Sequence, residues 1–507
     1  MIGLLRKLWR HSGGNVMLMA GFALVPLIFS IGFGIDYSRA QRLQTIVNAA
    51  ADSAALSAVS NNAMAGTAAQ AQANAIAMFK AQVTGLTGLV FNSSTDVTVT
   101  ITTSTTSTGI GRSVVVAWRA KSTNIFSSIL GSTALAITGS STAEATKPPY
   151  VNYYLLLDTS PSMLLPTTST GISALRSATS ATADSPYGCA FACHTKNPHS
   201  DSIYIRNTSG QDIWLDSSGN AWAVSKTQNG YIYSSSYRGG AQPVAAASTG
   251  QYADGYWLTR HYSSLYGGSV SIPLRVDAET EAAQDLIATA QTYATSNKVT
   301  YKMQLYGFDF TNSGDSSPLA ALTSSMADVS TMSSSSVPDL YAAQWNWYSN
   351  NCPSSSFCNS DRGTEVANAL SSINAIMPTP GDGSTASTPQ EVLLIVTDGV
   401  ADELYSGNRW VGEFNAGDLA QCTAIKNKGI QIGVLYTTYS ASVITGNAWS
   451  MSVLNPRLPY VSSALQSCAS TTASGQVMYF EVGTDGDISA ALTALFMMTL
   501  QTARLVK

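Results

Sequence analysis

Charge is scarce in this chain, and that scarcity excludes more than any motif does. Only 11% of its 507 residues are Asp, Glu, Lys or Arg, with 26 basic residues against 30 acidic ones and four histidines. A formal charge of −4 leaves no basic surface able to neutralise a row of phosphates, so nucleic acid is excluded as a partner. The sequence also lacks G-x-S-x-G, H-E-x-x-H and a phosphate-binding glycine loop, and no nucleophile, base and orienting acid follow one another recognisably. The expectation is therefore that the chain is not an enzyme. Six cysteines are few for this length but even in number. Proximity and expected topology pair Cys189 with Cys193, Cys352 with Cys358, and Cys422 with Cys468, one of 15 connectivities open to six cysteines. Such bridges require an oxidising compartment.

What the chain does have is length enough for two to four folding units and one long apolar run. Residues 16–35 read VMLMAGFALVPLIFSIGFGI without a charge, about 20 residues, which matches the hydrocarbon thickness of a bilayer. This predicts a membrane-spanning helix, with Pro26 tolerated inside it. Arg6, Lys7 and Arg10 precede it, so the positive-inside rule puts residues 1–15 in the cytoplasm and the bulk outside. A cleaved signal peptide is the competing reading, against which stand the length of the run and the absence of a clean A-x-A site. Beyond it, Leu43, Ile46, Val47, Ala50 and Ala54 recur at helical spacing, predicting a helix that continues to about residue 82. Its alanine-rich face suits close packing against another helix, self-association included; a plain extended stalk fits as well.

The short basic N-terminus, the GIDYSRA that ends the apolar run and the LQTIVNAAADSAALSA that follows together resemble the N-terminal region of the TadE/TadG-like pilus-assembly proteins. The resemblance spans roughly residues 10–60 and implies a bacterial inner-membrane protein of the tight-adherence (Flp) pilus system. Alternation in DVTVTIT and SVVVAW then predicts strands, so residues 36–147 read as a helical stalk with a small β-rich unit ending before Pro148 and Pro149.

In YVNYYLLLDTSPSM a buried-type strand, residues 153–157, runs directly into Asp158, Ser160 and Ser162. A carboxylate and two hydroxyls at alternate positions present three oxygens to one hard cation as the chain turns off the strand, and Mg²⁺ favours such ligands in octahedral geometry. Two further oxygens follow in order. Thr364, in DRGTEVANALSSI, enters an amphipathic helix; Asp398, in EVLLIVTDG, closes a run that reads as a central parallel strand. Ligands of open α/β sheets gather at the C-terminal strand edge, where all five groups would converge. Helix-capping or turn-forming roles for Asp158 and Asp398 are the competing reading.

This constellation resembles the metal-ion-dependent adhesion site, MIDAS, of von Willebrand factor A domains, over residues 150–507 less one insertion. The resemblance implies that Asp158, Ser160, Ser162, Thr364 and Asp398 hold Mg²⁺, or Mn²⁺ or Ca²⁺, and that a partner's acidic side chain completes the octahedron. It also implies a doubly wound, Rossmann-like α/β domain. The expected succession is helix 276–297, strand 300–308, helix 363–376, strand 391–397, helix 416–428, strand 430–436, helix 459–468, strand 477–481 and helix 487–503. Cys422 and Cys468 then fall on successive helices beside neighbouring strands.

Between Met163 and Arg275 lie about a hundred residues, of which 164–272 form the insertion. It is rich in aromatics, among them Trp214, Trp222, Tyr231, Tyr233, Tyr256 and Trp257, a composition suited to contact surfaces or to a self-contained β-rich lobe. Leaving the chain beside the metal loop, it is expected to wall or cover the site. Cys189, Cys193, His194 and His199 stand close together; a haem motif is excluded by the spacing, and a local disulfide loop is favoured over zinc. The functional expectation is a membrane-anchored, TadG-like component that binds a protein partner, a pilus-assembly or envelope component, through Mg²⁺. A passive envelope scaffold with no metal dependence is the alternative, and a metal-dependent hydrolase a third reading.

Overall fold

The computed structural model describes residues 12–500 except 107–108, 181–186, 191–204, 217, 229–230, 235–241, 247–249, 254, 310–318, 341–363, 440, 446–447 and 473–474. The chain divides into two compact units, one within residues 1–148 and the other spanning residues 149–502.

In the first unit a helix runs from Ser12 to Ala58. Phe22, Leu24, Leu27, Ile28 and Ile31 are exposed, and only 11% of its most apolar stretch is buried in the protein. Among the described residues, this one helix is long and apolar enough to cross a bilayer by length and composition. The single helix expected to residue 82 is broken instead. Ser60 caps a short helix Asn61–Ala65, and Thr67 and Gln70 form a reciprocal capping box that starts a new helix, Ala68–Val83. The alanine face is occupied within the chain: Ala50, Ala54 and Ala58 share one buried cluster with Ala71, Ala75 and Phe79. That cluster also takes in Val114, Val116 and Trp118 from an antiparallel sheet in which Gly109–Thr123 lies between Val97–Thr106 and Ala134–Lys147. Arg112 is buried and ties strand to helix break, donating to the carbonyls of Ala58 (3.4 Å), Ala63 (2.6 Å) and Gly66 (3.0 Å).

The second unit is a doubly wound α/β domain. Val151–Asp158 pairs in parallel with Tyr301–Phe308 on one side and Gln390–Thr397 on the other. Gln390–Thr397 pairs with Gln431–Thr437, and that strand with Tyr479–Val482. Short antiparallel segments, Ala320–Ala321 and Ala327–Asp328, lie beyond Tyr301–Phe308. Near-continuous hydrophobic runs suit strands covered on both faces. Tyr153, Leu155 and Leu157 point to one face, packing with Leu286, Leu492 and Phe496 from helices Arg275–Asn297 and Ile488–Leu500. Tyr154 and Leu156 point to the other, with Leu370, Ile425 and Leu465 from helices Val366–Ile376, Ala416–Asn427 and Leu458–Cys468. Cys422 and Cys468 join two of these helices in a disulfide. The expected succession of elements agrees closely with this architecture. A hairpin, Ala401–Tyr405 with Asn408–Gly412, had no sequence counterpart.

The insertion folds as a lobe around an antiparallel sheet ordered Gln251–Tyr252, Asp212–Leu215, Ala221–Gln228, Tyr231–Ser234, Gln242–Ala246. It has its own apolar cluster, including Leu175, Ile213, Leu215, Trp257 and Leu258. Of its aromatics, Trp214, Tyr256 and Trp257 are buried, whereas Tyr231 is exposed. Its two ends meet in a neck: Pro166 bridges Leu274, Thr167 donates its N–H to Pro273 (2.9 Å), and Arg275 donates its N–H to Leu165 (2.9 Å).

Candidate metal site at the sheet edge

Strand register dictates which residues meet. Leu157 is opposite Val396, so the next residues off the two strands, Asp158 and Thr397, adjoin, with Asp398 one step further. The hydroxyl of Thr397 donates to Asp158 Oδ2 at 2.6 Å, and the Ser160 N–H to Asp158 Oδ1 at 3.0 Å. Ser160 Oγ and Ser162 Oγ lie 2.8 Å apart. Asp398 accepts the Val400 N–H at Oδ1 (3.1 Å), while its buried Oδ2 receives no hydrogen bond. Asp158 and Asp398 are both 0% exposed. Gly399 makes the turn after Asp398 with φ +72°, and a Cβ there would stand 2.5 Å from Val461 Cγ1. The position therefore needs glycine for backbone and for space.

Thr364 is buried immediately before the helix Val366–Ile376. Its N–H and carbonyl pair with Asp402 (3.2 and 3.1 Å) on the segment that leaves Asp398. Asp158, Ser160, Ser162 and Asp398 thus cluster at one sheet edge, and Thr364 is held by its backbone to the chain leaving that cluster.

Two residues absent from the expected set belong to the same buried region. Glu279 Oε1 accepts the Asp158 N–H at 3.1 Å, and its Oε2 has no hydrogen-bond partner. Arg275, one turn earlier on the same helix, donates to the Thr438 carbonyl and lies over the Tyr439 ring at 5.2 Å. Burial, followed by the Asp398 carboxylate, pushes Asp158 up; burial also pushes Asp398 up, offset by the Arg275 guanidinium. Glu279 is pushed well above the usual carboxylate range by burial and then by Asp158. A signal for Glu279 was present: it lies at the spacing of Val276, Ala283 and Leu286, on a helical face that is otherwise apolar.

Asp158, Asp398 and Glu279 against Arg275 leave two negative charges when all are ionised, in a space from which water is excluded. Buried like charges at this density are costly without a counter-ion. Carboxylate and hydroxyl oxygens suit a hard divalent cation, and the unpaired Asp398 Oδ2 is available to one. The donor set fits a hard divalent cation of this kind.

The other candidate residues divide. Cys189 is disulfide-bonded; Cys193, His194, His199, Cys352 and Cys358 lie outside the described residues, so the zinc alternative and two of the three cysteine pairings do too. No group of three or more His, Cys, Asp or Glu able to hold a metal occurs among the described residues. The insertion reaches the sheet edge through its neck and first helix, Ser169–Thr179: the Thr167 carbonyl accepts the Asp485 N–H (2.7 Å) and Arg176 donates to the Val443 carbonyl (2.9 Å). These contacts follow the ends of Gln431–Thr437, which pairs with the strand that runs into Asp398, and of Tyr479–Val482, the strand beyond it.

Residues 14–72 match the model of the family described as putative Flp pilus-assembly TadE/G-like. No curated protein matches the chain. Among solved structures it is similar to the pilus adhesin SpaC from Lactobacillus rhamnosus GG in its open conformation, at 9% identity and TM-score 0.29, over 80% of this chain and 34% of that one. It is also similar to proximal thread matrix protein 1 from the mussel byssus, at 10% identity and TM-score 0.25, over 44% and 43% of the two chains. A second structure of that protein, with a zinc-occupied MIDAS motif, gives TM-score 0.23 at 10% identity over 44% and 42%. The chain spans about a third of the length of the pilus adhesin it matches.

Proposed function

We propose that this chain is a membrane-anchored, TadG-like component of a Flp-type pilus-assembly or adhesion system, and that its α/β domain binds a protein partner through a divalent cation. Residues 16–35 span a bacterial inner membrane, residues 1–15 lie in the cytoplasm and the bulk lies in the periplasm, an orientation supported by Arg6, Lys7 and Arg10. The TadE/G-like match of residues 14–72 supports the pilus role.

One observation carries the metal reading: Asp158 and Asp398 are fully buried side by side, and Asp398 Oδ2 has no hydrogen-bond donor. Asp158, Ser160, Ser162, Thr364 and Asp398 hold the ion, Mg²⁺ with Mn²⁺ or Ca²⁺ as alternatives. When bound, it supplies an electrophilic coordination position for a carboxylate of the partner. The chain's own residues orient and neutralise: Thr397 and the Ser160 N–H fix Asp158, and Arg275 offsets charge beside Asp398. No catalytic step is part of the proposal.

The test is complementation of a deletion strain with wild type or Asp158→Ala, scoring surface pili and adherence at matched membrane levels of the protein. Loss of both with the variant is expected. Full restoration would overturn the metal reading in favour of a passive scaffold.

A further inference from the structure

Asp36 lies directly beyond the apolar run, at a point where a charged side chain would ordinarily face water or lipid headgroups. Instead it is 1% exposed. Its carboxylate accepts three backbone N–H groups from one loop: Ile125 (2.8 Å), Phe126 (3.0 Å) and Ser127 (2.8 Å). The loop, residues 124–131, connects strand Gly109–Thr123 to strand Ala134–Lys147 and includes a short 3₁₀ turn, Ser127–Leu130. The remaining contacts also close it on itself. Ile129 N–H reaches the Phe126 carbonyl (3.2 Å), Gly131 N–H the Ser128 carbonyl (3.0 Å), and the Ser128 hydroxyl the Ile125 carbonyl (2.7 Å).

Its side chains do the reverse of what a solvated loop tip does. Ile125 is 56% exposed and Ile129 73%, while the N–H groups of Asn124, Ile125, Phe126, Ser127, Ile129 and Gly131 are held within the protein. Phe126 packs on Gly32, where an added Cβ would stand 2.5 Å from Phe126 Cβ. Gly32 precedes Asp36 by four residues, or about 6 Å along a helix. The loop therefore lies at the level of the helix's own lipid-facing residues, Ile31, Phe33 and Ile35, which are likewise exposed. A backbone with most of its donors paired and apolar side chains turned outward suits the acyl–headgroup boundary, where a non-helical segment must hold its polar groups internally.

We propose that residues 124–131 enter the membrane interface beside the helix, giving the unit a second lipid contact that fixes its orientation on the bilayer. The occupant is lipid, because the exposed isoleucines continue the apolar surface of the helix at the same depth. The proposal rests on reading that helix as a membrane anchor, and the experiment separates the two.

Single cysteines at Ile129, at Leu24 on the apolar helix and at Thr103, exposed on the β-sheet, are each labelled with nitrobenzoxadiazole in the full chain. Each is reconstituted in phosphatidylcholine–phosphatidylglycerol vesicles with or without doxyl-labelled lipid, with wild type as the labelling background. Ile129 is so exposed that the substitution leaves packing intact. The expected result is blue-shifted, strongly quenched emission at Leu24 and Ile129, and neither at Thr103. Quenching at Leu24 with Ile129 behaving like Thr103 overturns the loop proposal alone; no quenching at either overturns the anchor reading and the proposal with it.

Discussion

A buried carboxylate oxygen with no hydrogen-bond donor is informative because solvation normally forbids it, and the candidate site has two such oxygens near it, Asp398 Oδ2 and Glu279 Oε2. Glu279 touches the Asp158 backbone, not its carboxylate, so it acts by charge and by fixing the strand end. Glu279→Gln, which keeps an oxygen for the Asp158 N–H, is expected to weaken Mg²⁺ binding by about tenfold, read by isothermal titration calorimetry, with little change in fold. A wild-type affinity in that variant would remove Glu279 from the site. At the opposite end of the sheet Glu391, held by the Asn152 amide at 2.9 Å, is pushed by burial from 4.5 up to about 7. Below pH 4.5 folded and unfolded chains both hold this proton. Between 4.5 and about 7 the unfolded state releases it first, so stability from this group is lost as pH rises through that window. Glu391→Gln should flatten that part of a plot of thermal midpoint against pH; an unchanged slope would sink the assignment. The aspartates and serines of the site were legible because oxygen donors at strand ends stand out against apolar runs. Glu279 left a weaker trace, its place on an otherwise apolar helical face, and Arg275 left none, since a charged residue in a helix is ordinarily solvated and only the packing reveals that Arg275 is buried.

At the scale of elements, the parallel strands and their helices were readable from apolar runs separated by amphipathic segments. The N-terminal helix was read too long. An alanine-rich pattern persists across residues 40–82, but periodicity carries no information on where a helix reverses; Ser60 and the Thr67–Gln70 box do. Arg112 holds that reversal by satisfying carbonyls that the break leaves open. Arg112→Ala strands those acceptors in a buried setting, which costs on the order of 1–3 kcal/mol. Hydrogen exchange of the full chain in detergent should show faster opening at residues 59–67 while the Val151–Asp158 strand stays protected. The Cys422–Cys468 bridge closes a loop with a sequence separation of 46, for which the loop-entropy relation gives roughly 4 kcal/mol.

Across the whole molecule, the insertion was legible as a departure from an α/β succession, but not in its attachment, because the pairing of Pro166 with Leu274 depends on residues far apart in sequence. That neck makes the lobe separable: replacing residues 168–272 with an Asn-Gly turn should leave a cooperatively unfolding α/β domain with the Cys422–Cys468 bridge intact, by circular dichroism and thiol titration. A molten product would show instead that the lobe is integral to the core. The central strand Val151–Asp158 has a different consequence. One end follows directly on the first unit, and the other carries Asp158 of the candidate site. With the first unit anchored in a bilayer and a partner bound at the site, as proposed, tension between the two would enter the domain through this strand, which is gripped in parallel register on both sides. Pulled along its axis, such a strand shares load across all its ladder hydrogen bonds at once and does not peel them one by one, so on that reading the strand that presents Asp158 would also serve as the mechanical tether.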